Sequence, residues 1–506
     1  MLPLVEELAL RLPLADLFPA FLDEPCGIFL DSGMCHDRLG RYSYIMAAPE
    51  AILTSKGDQF EIRQGPRRWS GTGDPFSVLR NQLCGPQLPR LPDLPPFQGG
   101  WAGYFGYELG RHLEVLPCTA VDDLGMPDMY VCRYDWVLAH DHLTGYTFLF
   151  ADGGLERDEE QARQRLTWAR AKIGLWSPRP HAVTERQGAT TGAISSQPAH
   201  RIHDRNALAA GGAARPGLAI ADPALPLWLH ANFTRDQYLH ALQRVKDYIK
   251  AGDIYQANLS QRFDAPLPCS PWALYTSLRQ INPAPFAAYL DFGDIIVLSA
   301  SPEQFLKLDE GRVETRPIKG TRPRGHTPEL DAALKEELQQ SEKDRAENLM
   351  IVDLLRNDLG RVCRIGSVAV PEIFALEEYP TVWHLVTAVV GELPAHFGAI
   401  DLLRACFPGG SITGAPKIRA MEIIDELEPT ARGVYCGAIG YLGSNGTMNT
   451  SIVIRTMVVH DGHVYFQAGG GIVADSDPAD EYQETLDKAK ALIIALQQAR
   501  QTARDT

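Results

Sequence analysis

One lysine sits at the centre of Thr315-Arg-Pro-Ile-Lys-Gly-Thr-Arg-Pro-Arg-Gly325. An amine becomes a nucleophile only when burial or a nearby cation lowers its pKa, and Arg316, Arg322 and Arg324 lie close to Lys319 in sequence. Gly320 lets the backbone approach a ligand, and Thr321 offers a hydroxyl. Without such a setting, a lysine near a hairpin end is simply solvated. Glu303 ends an apolar run in Ser301-Pro-Glu. In an apolar pocket its pKa would rise, which suits a general acid at neutral pH; at an open strand end it would meet water. Two further carboxylate sets share helix faces: Asp344 with Glu347 at i, i+3, and Glu481 with Glu484 and Lys488 at i, i+3, i+7. On composition alone each reads as a solvated, ion-paired face.

These groups need elements to hold them. A hairpin feeds the lysine stretch, with Phe305-Leu-Lys-Leu, a turn at Asp309-Glu-Gly311 and Arg312-Val-Glu-Thr. Pro317 and Pro323 bound the stretch and disfavour helix before them. Thr327-Pro328 opens a long helical region reaching about Asn357, and Asp477-Pro478 opens a C-terminal helix. Thr234-Arg-Asp-Gln is a capping box for a helix ending near Gly252, followed by a strand over 254–263 and a helix opened by Ser270-Pro271. Strands are predicted at 287–292, 295–299, 434–442, 451–460 and 463–468.

The first half is β-rich over 26–150. Hairpins are expected from 51–54 to 60–63, and from Met129-Tyr-Val-Cys-Arg-Tyr to Tyr146-Thr-Phe-Leu-Phe, with a helix over 155–173. Gly99-Gly-Trp-Ala-Gly-Tyr-Phe-Gly-Tyr-Glu reads as a closely packed strand and turn, since it has neither a Walker lysine nor Rossmann spacing. The chain therefore divides into a β-rich region 1–176, a Pro/Ala/Gly-rich linker or surface insertion 177–228, and a region 229–506 that carries the chemistry. Hairpin connections throughout imply α+β architecture with antiparallel sheets.

Pro317-Ile-Lys-Gly-Thr321 resembles the signature of the aminodeoxychorismate-forming members of the chorismate-utilising enzymes, a family that includes anthranilate synthase component I and isochorismate synthases. The resemblance spans nearly the whole chain and is strongest over 234–494. It implies a β-sandwich of two facing sheets with helices outside and two interleaved halves. Lys319 would be the nucleophile, where the anthranilate and isochorismate branches typically have alanine, and Glu303 the acid that protonates the departing 4-hydroxyl. Glu347 and Glu484 match carboxylates that hold Mg²⁺, with Asp344 and Glu481 auxiliary; magnesium typically takes one or two protein carboxylates plus substrate oxygens.

Tyr435, Arg455 and the backbone of Gly469-Gly-Gly471 resemble the cradle of the enolpyruvyl carboxylate, with Lys488, His384, Thr413 and Thr321 also in the pocket. Gln256 stands where water-activating relatives carry a lysine base. A glutamine cannot take a proton from water at useful rates, so isochorismate formation is disfavoured. Asp31, Ser32, Asn282, Pro283 and Phe286 resemble positions that bind tryptophan, although the anthranilate branch usually has glutamate where this chain has Asp31.

The net charge of −15 argues against nonspecific binding to nucleic acid or an anionic membrane. The start Met1-Leu-Pro-Leu-Val-Glu-Glu lacks the basic, apolar pattern of a signal peptide, and no apolar run spans a membrane. Nine cysteines with no Cys-x-x-Cys pair suit reduced thiols in the cytoplasm.

The reading is an enzyme that aminates chorismate at C4 with ammonia on the way to 4-aminobenzoate and folate. With no Gly-x-Cys-x-Gly elbow in the chain, the ammonia would come from a separate glutaminase subunit. The rivals are an anthranilate-forming enzyme, which would also eliminate pyruvate, and a non-catalytic tryptophan-sensing relative.

Overall fold

Alternating apolar residues turn short strands into two facing sheets. The computed structural model describes residues 2–10, 12–34, 39–83, 87–175, 225–379 and 382–505. The predicted insertion at 177–228 thus lies, up to residue 224, outside the described residues. Among the described residues each sheet has twelve strands, and neighbouring strands within both sheets pair antiparallel.

Both sheets draw strands from both ends of the chain. In the first, Ile28–Asp31 pairs with Phe286–Asp291; in the second, Gly100–Phe105 pairs with Ala438–Gly443. Gly100–Phe105 is buried along its length, and a Cβ on Gly103 would lie 2.1 Å from the Tyr130 carbonyl, so the glycines there serve close packing. An inter-sheet core joins Ile28, Met46 and Val297 of the first sheet to Tyr104, Cys132 and Tyr441 of the second. Helices cover the outer faces: Pro271–Ile281 and Pro478–Asp505 on the first, Glu342–Gly360 and Ala399–Cys406 on the second. No described helix is long and apolar enough to cross a membrane.

The local signals held where capping and turn chemistry decided them. Arg235–Ala251 opens on the Thr234–Gln237 capping box and closes at Gly252, with φ +85°. Ser270 caps Pro271–Ile281, and Gln304–Asp309 pairs with Arg312–Arg316 as the expected hairpin.

Other expectations need correction. Met129–Tyr134 and Thr147–Ala151 are not a hairpin. The former lies in the second sheet beside Ala51–Lys56 and Gly100–Phe105, and the latter pairs with Trp136–Asp141 in the first. The chain changes sheets at the fully buried Asp135, whose carboxylate accepts from Arg165 Nε at 2.9 Å. The helical region after Thr327 is two helices, Pro328–Gln340 and Glu342–Gly360. It breaks at Ser341, whose hydroxyl accepts from the Asp344 amide at 3.2 Å. The predicted strand 434–442 begins only at Ala438, and Cys436, just before it, has φ +61°. The predicted strand 451–460 is also two strands, Met448–Ile452 in the second sheet and Thr456–His460 in the first, with Arg455 at φ +53° between them. The paired strands Ala369–Glu378 and Val382–Glu392 had no sequence expectation.

Candidate functional site

Two sheet crossings run side by side, and each carries a site residue at its bend. Ile295–Ser301 lies in the first sheet and Gln304–Asp309 in the second, so Glu303 sits in one crossing and Arg455 in the other. The crossings are tied together: Ser301 Oγ donates to the Ile452 carbonyl at 2.5 Å, the Ile452 amide to the Glu303 carbonyl at 3.0 Å, and the Ala300 amide to the Arg455 carbonyl at 3.1 Å. A crossing brings side chains into the gap between sheets without belonging to either apolar face. Glu303 is accordingly buried, at 5% exposure, and burial pushes its pKa up to about 7 against the opposing pull of Ser411 and Lys319.

Lys319 lies in a bulge. Its strand, Ile318–Pro323, pairs with Val382–Glu392 at Ile318–Val386 and Thr321–His384, with a register shift between. Gly320 takes φ +90°, and a Cβ there would meet Leu338 Cδ1 at 2.9 Å and Asp344 Cβ at 3.0 Å. Only glycine fits. The half-buried Lys319 amine donates to the Ser411 carbonyl at 3.2 Å. Burial lowers its pKa, against the pull of Glu347 and Glu303. Ser411 is thus a hub: its carbonyl receives Lys319, while its hydroxyl donates to Glu303 Oε1 at 2.6 Å. The residue of this loop that the sequence places in the pocket is Thr413. That hydroxyl turns back to the carbonyls of Gly409 and Gly410, at 3.1 and 3.4 Å.

The carboxylates converge from two helices. Asp344 and Glu347 occupy the first turns of Glu342–Gly360, which the Ser341 break aims at the lysine strand. Asp344 is committed to Arg322, at 3.1 Å. Burial raises the Glu347 pKa, against Lys319 and Lys343, and Glu484 adds to the rise. Glu484 is also pushed up by burial, but Lys488 and Lys343 outweigh this and hold it below its ordinary value; Lys488 Nζ lies 2.5 Å from it. Burial raises Glu481, which accepts from Ser476 Oγ at 2.5 Å. A Cβ on Gly470 would lie 3.1 Å from Glu481 Oε2, 3.4 Å from Glu484 Oε1 and 3.6 Å from Lys488 Nζ, so the bare strand makes room for this group.

No cluster of three or more metal-ligating side chains occurs among the described residues. A magnesium ion typically uses one or two protein carboxylates and takes its remaining ligands from water and substrate. Glu347 and Glu484, close enough to act on each other electrostatically, could supply the carboxylates; Asp344 is paired with Arg322 as Glu484 is with Lys488.

The residues expected to meet substrate anions stand nearby. Arg455 is half-buried, and its guanidinium makes no ion pair or side-chain hydrogen bond among the described residues; burial lowers its pKa against Tyr435 and Glu484. Burial keeps the Tyr435 phenol protonated. Lys488 Nζ donates to the Gly469 carbonyl at 2.8 Å. His384 is buried beside Thr321, with 2.9 Å between Nδ1 and Oγ1; burial and the nearby Arg455 lower its pKa to about 4, so the ring is neutral. Gln256 is fully buried against Gly471, and a Cβ on that glycine would lie 1.9 Å from Gln256 Nε2.

Asp31, Ser32 and Phe286 line a separate cavity of about 410 Å³ between the sheets, with Tyr44, Tyr441 and Asn449. Asn282 and Pro283 are not among its lining residues; Asn282 caps the helix Pro271–Ile281. The Asp31 carboxylate is already held by Arg279 and by Tyr275 Oη at 3.1 Å.

Residues 31–493 match the chorismate binding enzyme family. The chain is 43% identical over 482 residues to aminodeoxychorismate synthase component 1 of Klebsiella aerogenes, covering 95% of this chain and 96% of that one. It is 43% identical over 450 residues to anthranilate synthase component 1 of Thermus thermophilus, covering 89% and 86%. Among solved structures, anthranilate synthase component I from Streptococcus pneumoniae superposes with a TM-score of 0.74 at 30% identity, covering 91% and 94%. MenF, the menaquinone-specific isochorismate synthase of Escherichia coli, shares the fold with a TM-score of 0.65 at 16% identity, over 98% of this chain and 94% of that one. The chain belongs to the chorismate binding enzyme family.

Proposed function

We propose that this chain is the first component of an aminodeoxychorismate synthase, converting chorismate and ammonia to 4-amino-4-deoxychorismate. Relatives named for that activity match at 41–43% identity over 94–95% of this chain, and a relative named for anthranilate synthesis at 43% over 89%. The observation that supports the reading most is Lys319, an amine with lowered pKa held on the same residue, Ser411, that holds the buried Glu303.

Lys319 attacks C2 as neutral amine while Glu303 gives its proton to the 4-hydroxyl, which leaves as water. Ammonia then forms the N–C4 bond, the ring double bonds shift back, and the C2–N bond breaks to release the lysine as neutral amine. The ammonium formed at C4 returns a proton to Glu303, so the sum is chorismate plus ammonia giving product plus water. Arg455, Tyr435 and the Gly469–Gly471 backbone orient the substrate anions, and neutral His384 with Thr321 lines the lysine strand. Glu347 and Glu484 would hold Mg²⁺, which when bound neutralises charge on a substrate carboxylate. A glutaminase subunit supplies ammonia in this reading. The inter-sheet cavity takes a small ligand such as tryptophan, although Asp31, already paired with Arg279, is not free to meet an ammonium group.

The test is product identification from chorismate, Mg²⁺ and ammonium chloride, with and without a glutaminase partner. 4-Amino-4-deoxychorismate without pyruvate supports the reading. Anthranilate with stoichiometric pyruvate transfers the chain to its rival, and no turnover leaves the non-catalytic relative. Lys319→Ala making the 4-amino product at the wild-type rate would refute the nucleophile.

A further inference from the structure

Ser411 meets both Lys319 and Glu303, yet it stands in a short turn, Gly410–Ile412, that is poorly bonded within itself. The Ile412 and Thr413 amides reach the carbonyls of Gly409 and Gly410 only at 3.4 Å. What fixes the turn comes from outside it. The Ser411 carbonyl accepts from Asn258 Nδ2 at 2.9 Å as well as from Lys319, and the Thr413 carbonyl accepts from the Asn258 amide at 2.8 Å. Between them, the Ile412 carbonyl accepts from Arg432 Nη1 at 3.1 Å. Arg432 Nη2 also donates to the carbonyl of Asn258, at 2.7 Å. One guanidinium therefore holds both the turn and the strand residue that grips the turn.

Arg432 is itself fixed on several sides. Its Nε and Nη2 donate to the two carboxylate oxygens of Glu428, at 2.9 and 2.7 Å, just past the helix Lys417–Leu427. Glu428 Oε1 also accepts from the amide and the hydroxyl of Ser260, both at 2.8 Å. Glu108, from the other half of the chain, accepts from the amides of Arg432 and Gly433 at 2.9 Å each. The guanidinium carbon lies 4.8 Å from the ring centre of Tyr107 and 5.8 Å from that of Tyr435, so it backs the Tyr435 ring as well. Both members of the Arg432–Glu428 pair are buried. Apolar residues of the same volume often replace a buried ion pair without loss of stability, so what this pair contributes is direction. A planar guanidinium points its donors along fixed lines, whereas the three donors of a lysine share one nitrogen and cannot span the same acceptors.

Resting on the proposed amination of chorismate, we propose that Arg432 is a positioning residue, which through Ile412 and Asn258 holds Ser411 where its hydroxyl meets the acid and its carbonyl meets the nucleophile. Its bonds go to Glu428, Ile412 and Asn258, so it acts on Glu303 and Lys319 through Ser411.

The experiment is the pH dependence of kcat/KM for chorismate, with Mg²⁺ and ammonium chloride at constant free ammonia, in wild type, Arg432→Lys, Ser411→Ala and the double variant. Arg432→Lys keeps the charge, and Lys319 and Lys488, the cations that act on Glu303, are unchanged. Freeing the turn loses the Ser411–Glu303 bond, so the limb near pH 7 should move to higher pH by about one unit in Arg432→Lys. The double variant should show the shift of Ser411→Ala and no more. A merely structural role would lower the yield of active protein and leave the limb in place. A limb that stays, or two shifts that add in the double variant, overturns the proposal. If Arg432→Lys fails to fold, Arg432→Met combined with Glu428→Gln removes both buried charges together, and the same readings apply. Wild-type protein that makes anthranilate sinks the parent reading alone, since the limb of the buried acid is still there to be read; the product tests one and the limb the other.

Discussion

Removing one hydroxyl should retune the acid without touching the nucleophile. Ser411 Oγ donates to Glu303 Oε1 at 2.6 Å, whereas Lys319 is held by the Ser411 backbone carbonyl, which Ser411→Ala retains. A hydrogen bond donated to a carboxylate stabilises the ionised form, so it works against burial, which has already lifted Glu303 to about 7. Bonds to charged groups contribute about 1.5–3 kcal/mol, equivalent to about one to two pKa units. Their loss moves the Glu303 pKa upward. The assay is the pH dependence of kcat/KM for chorismate at constant concentration of free ammonia. The limb near pH 7 in wild type should shift to higher pH by at least about one unit in Ser411→Ala. A limb that stays in place, or moves down, would refute the assignment of that titration to Glu303 and of Ser411 as its partner.

Three more outcomes follow from the same geometry. Glu303→Gln should stabilise the fold in a pH-dependent way. The folded pKa is raised from 4.5 to about 7, so the folded state binds the proton more tightly, and stability is full below the unfolded pKa and falls as pH rises through the folded one; urea titrations should show the variant more stable by ~3 kcal/mol near pH 8 and no advantage near pH 4, while a pH-independent difference would contradict the buried acid. Gly320→Ala combines a φ of +90° with contacts to Leu338 and Asp344, and should lower stability by about 1–3 kcal/mol and displace Lys319; unchanged melting and turnover would mean the bulge is not confined as described. Glu347→Gln and Glu484→Gln should each nearly abolish turnover with circular dichroism unchanged, and near-normal activity in both would remove the metal assignment.

How much of this the sequence carries depends on what fixes each feature. The Thr234 capping box, the Gly252 helix end and the Gln304–Arg316 hairpin are decided within a few residues, and local chemistry reads them correctly. Period-two patterning says which residues of a strand share a face, but not which sheet the strand joins. Hence the pattern pairs Met129–Tyr134 with the wrong neighbour and makes one strand of 451–460, although the chain changes sheets at Arg455. The site falls where this blindness is greatest. Glu303 and Arg455 stand at bends tied together by the Ser301–Ile452 bond, whose partners are 151 residues apart in sequence, and Ser411 holds Lys319 through a carbonyl that every residue possesses.

Those bends also explain why chemistry is possible in such an apolar interior. Inside a sheet, a strand spends its amides on neighbours and its side chains on the core, so a buried carboxyl there would lack both partners and space. A chain passing from one sheet to the other has neither obligation over two or three residues. At Pro302-Glu303 it exposes a carboxyl to the gap, and the parallel passage at Ile454-Arg455 supplies a guanidinium, while bonds between the two passages keep both in place. Lys319 reaches the same gap by a different irregularity, the bulge at Gly320. Three interruptions of regular pairing, and no regular strand interior, thus bring Glu303, Arg455 and Lys319 to this gap. The residues at all three interruptions are legible through the family resemblance, at Pro317–Thr321, Ser301-Pro-Glu303 and Arg455, but the interruptions of pairing themselves are not, because period-two patterning does not show where a strand leaves its sheet.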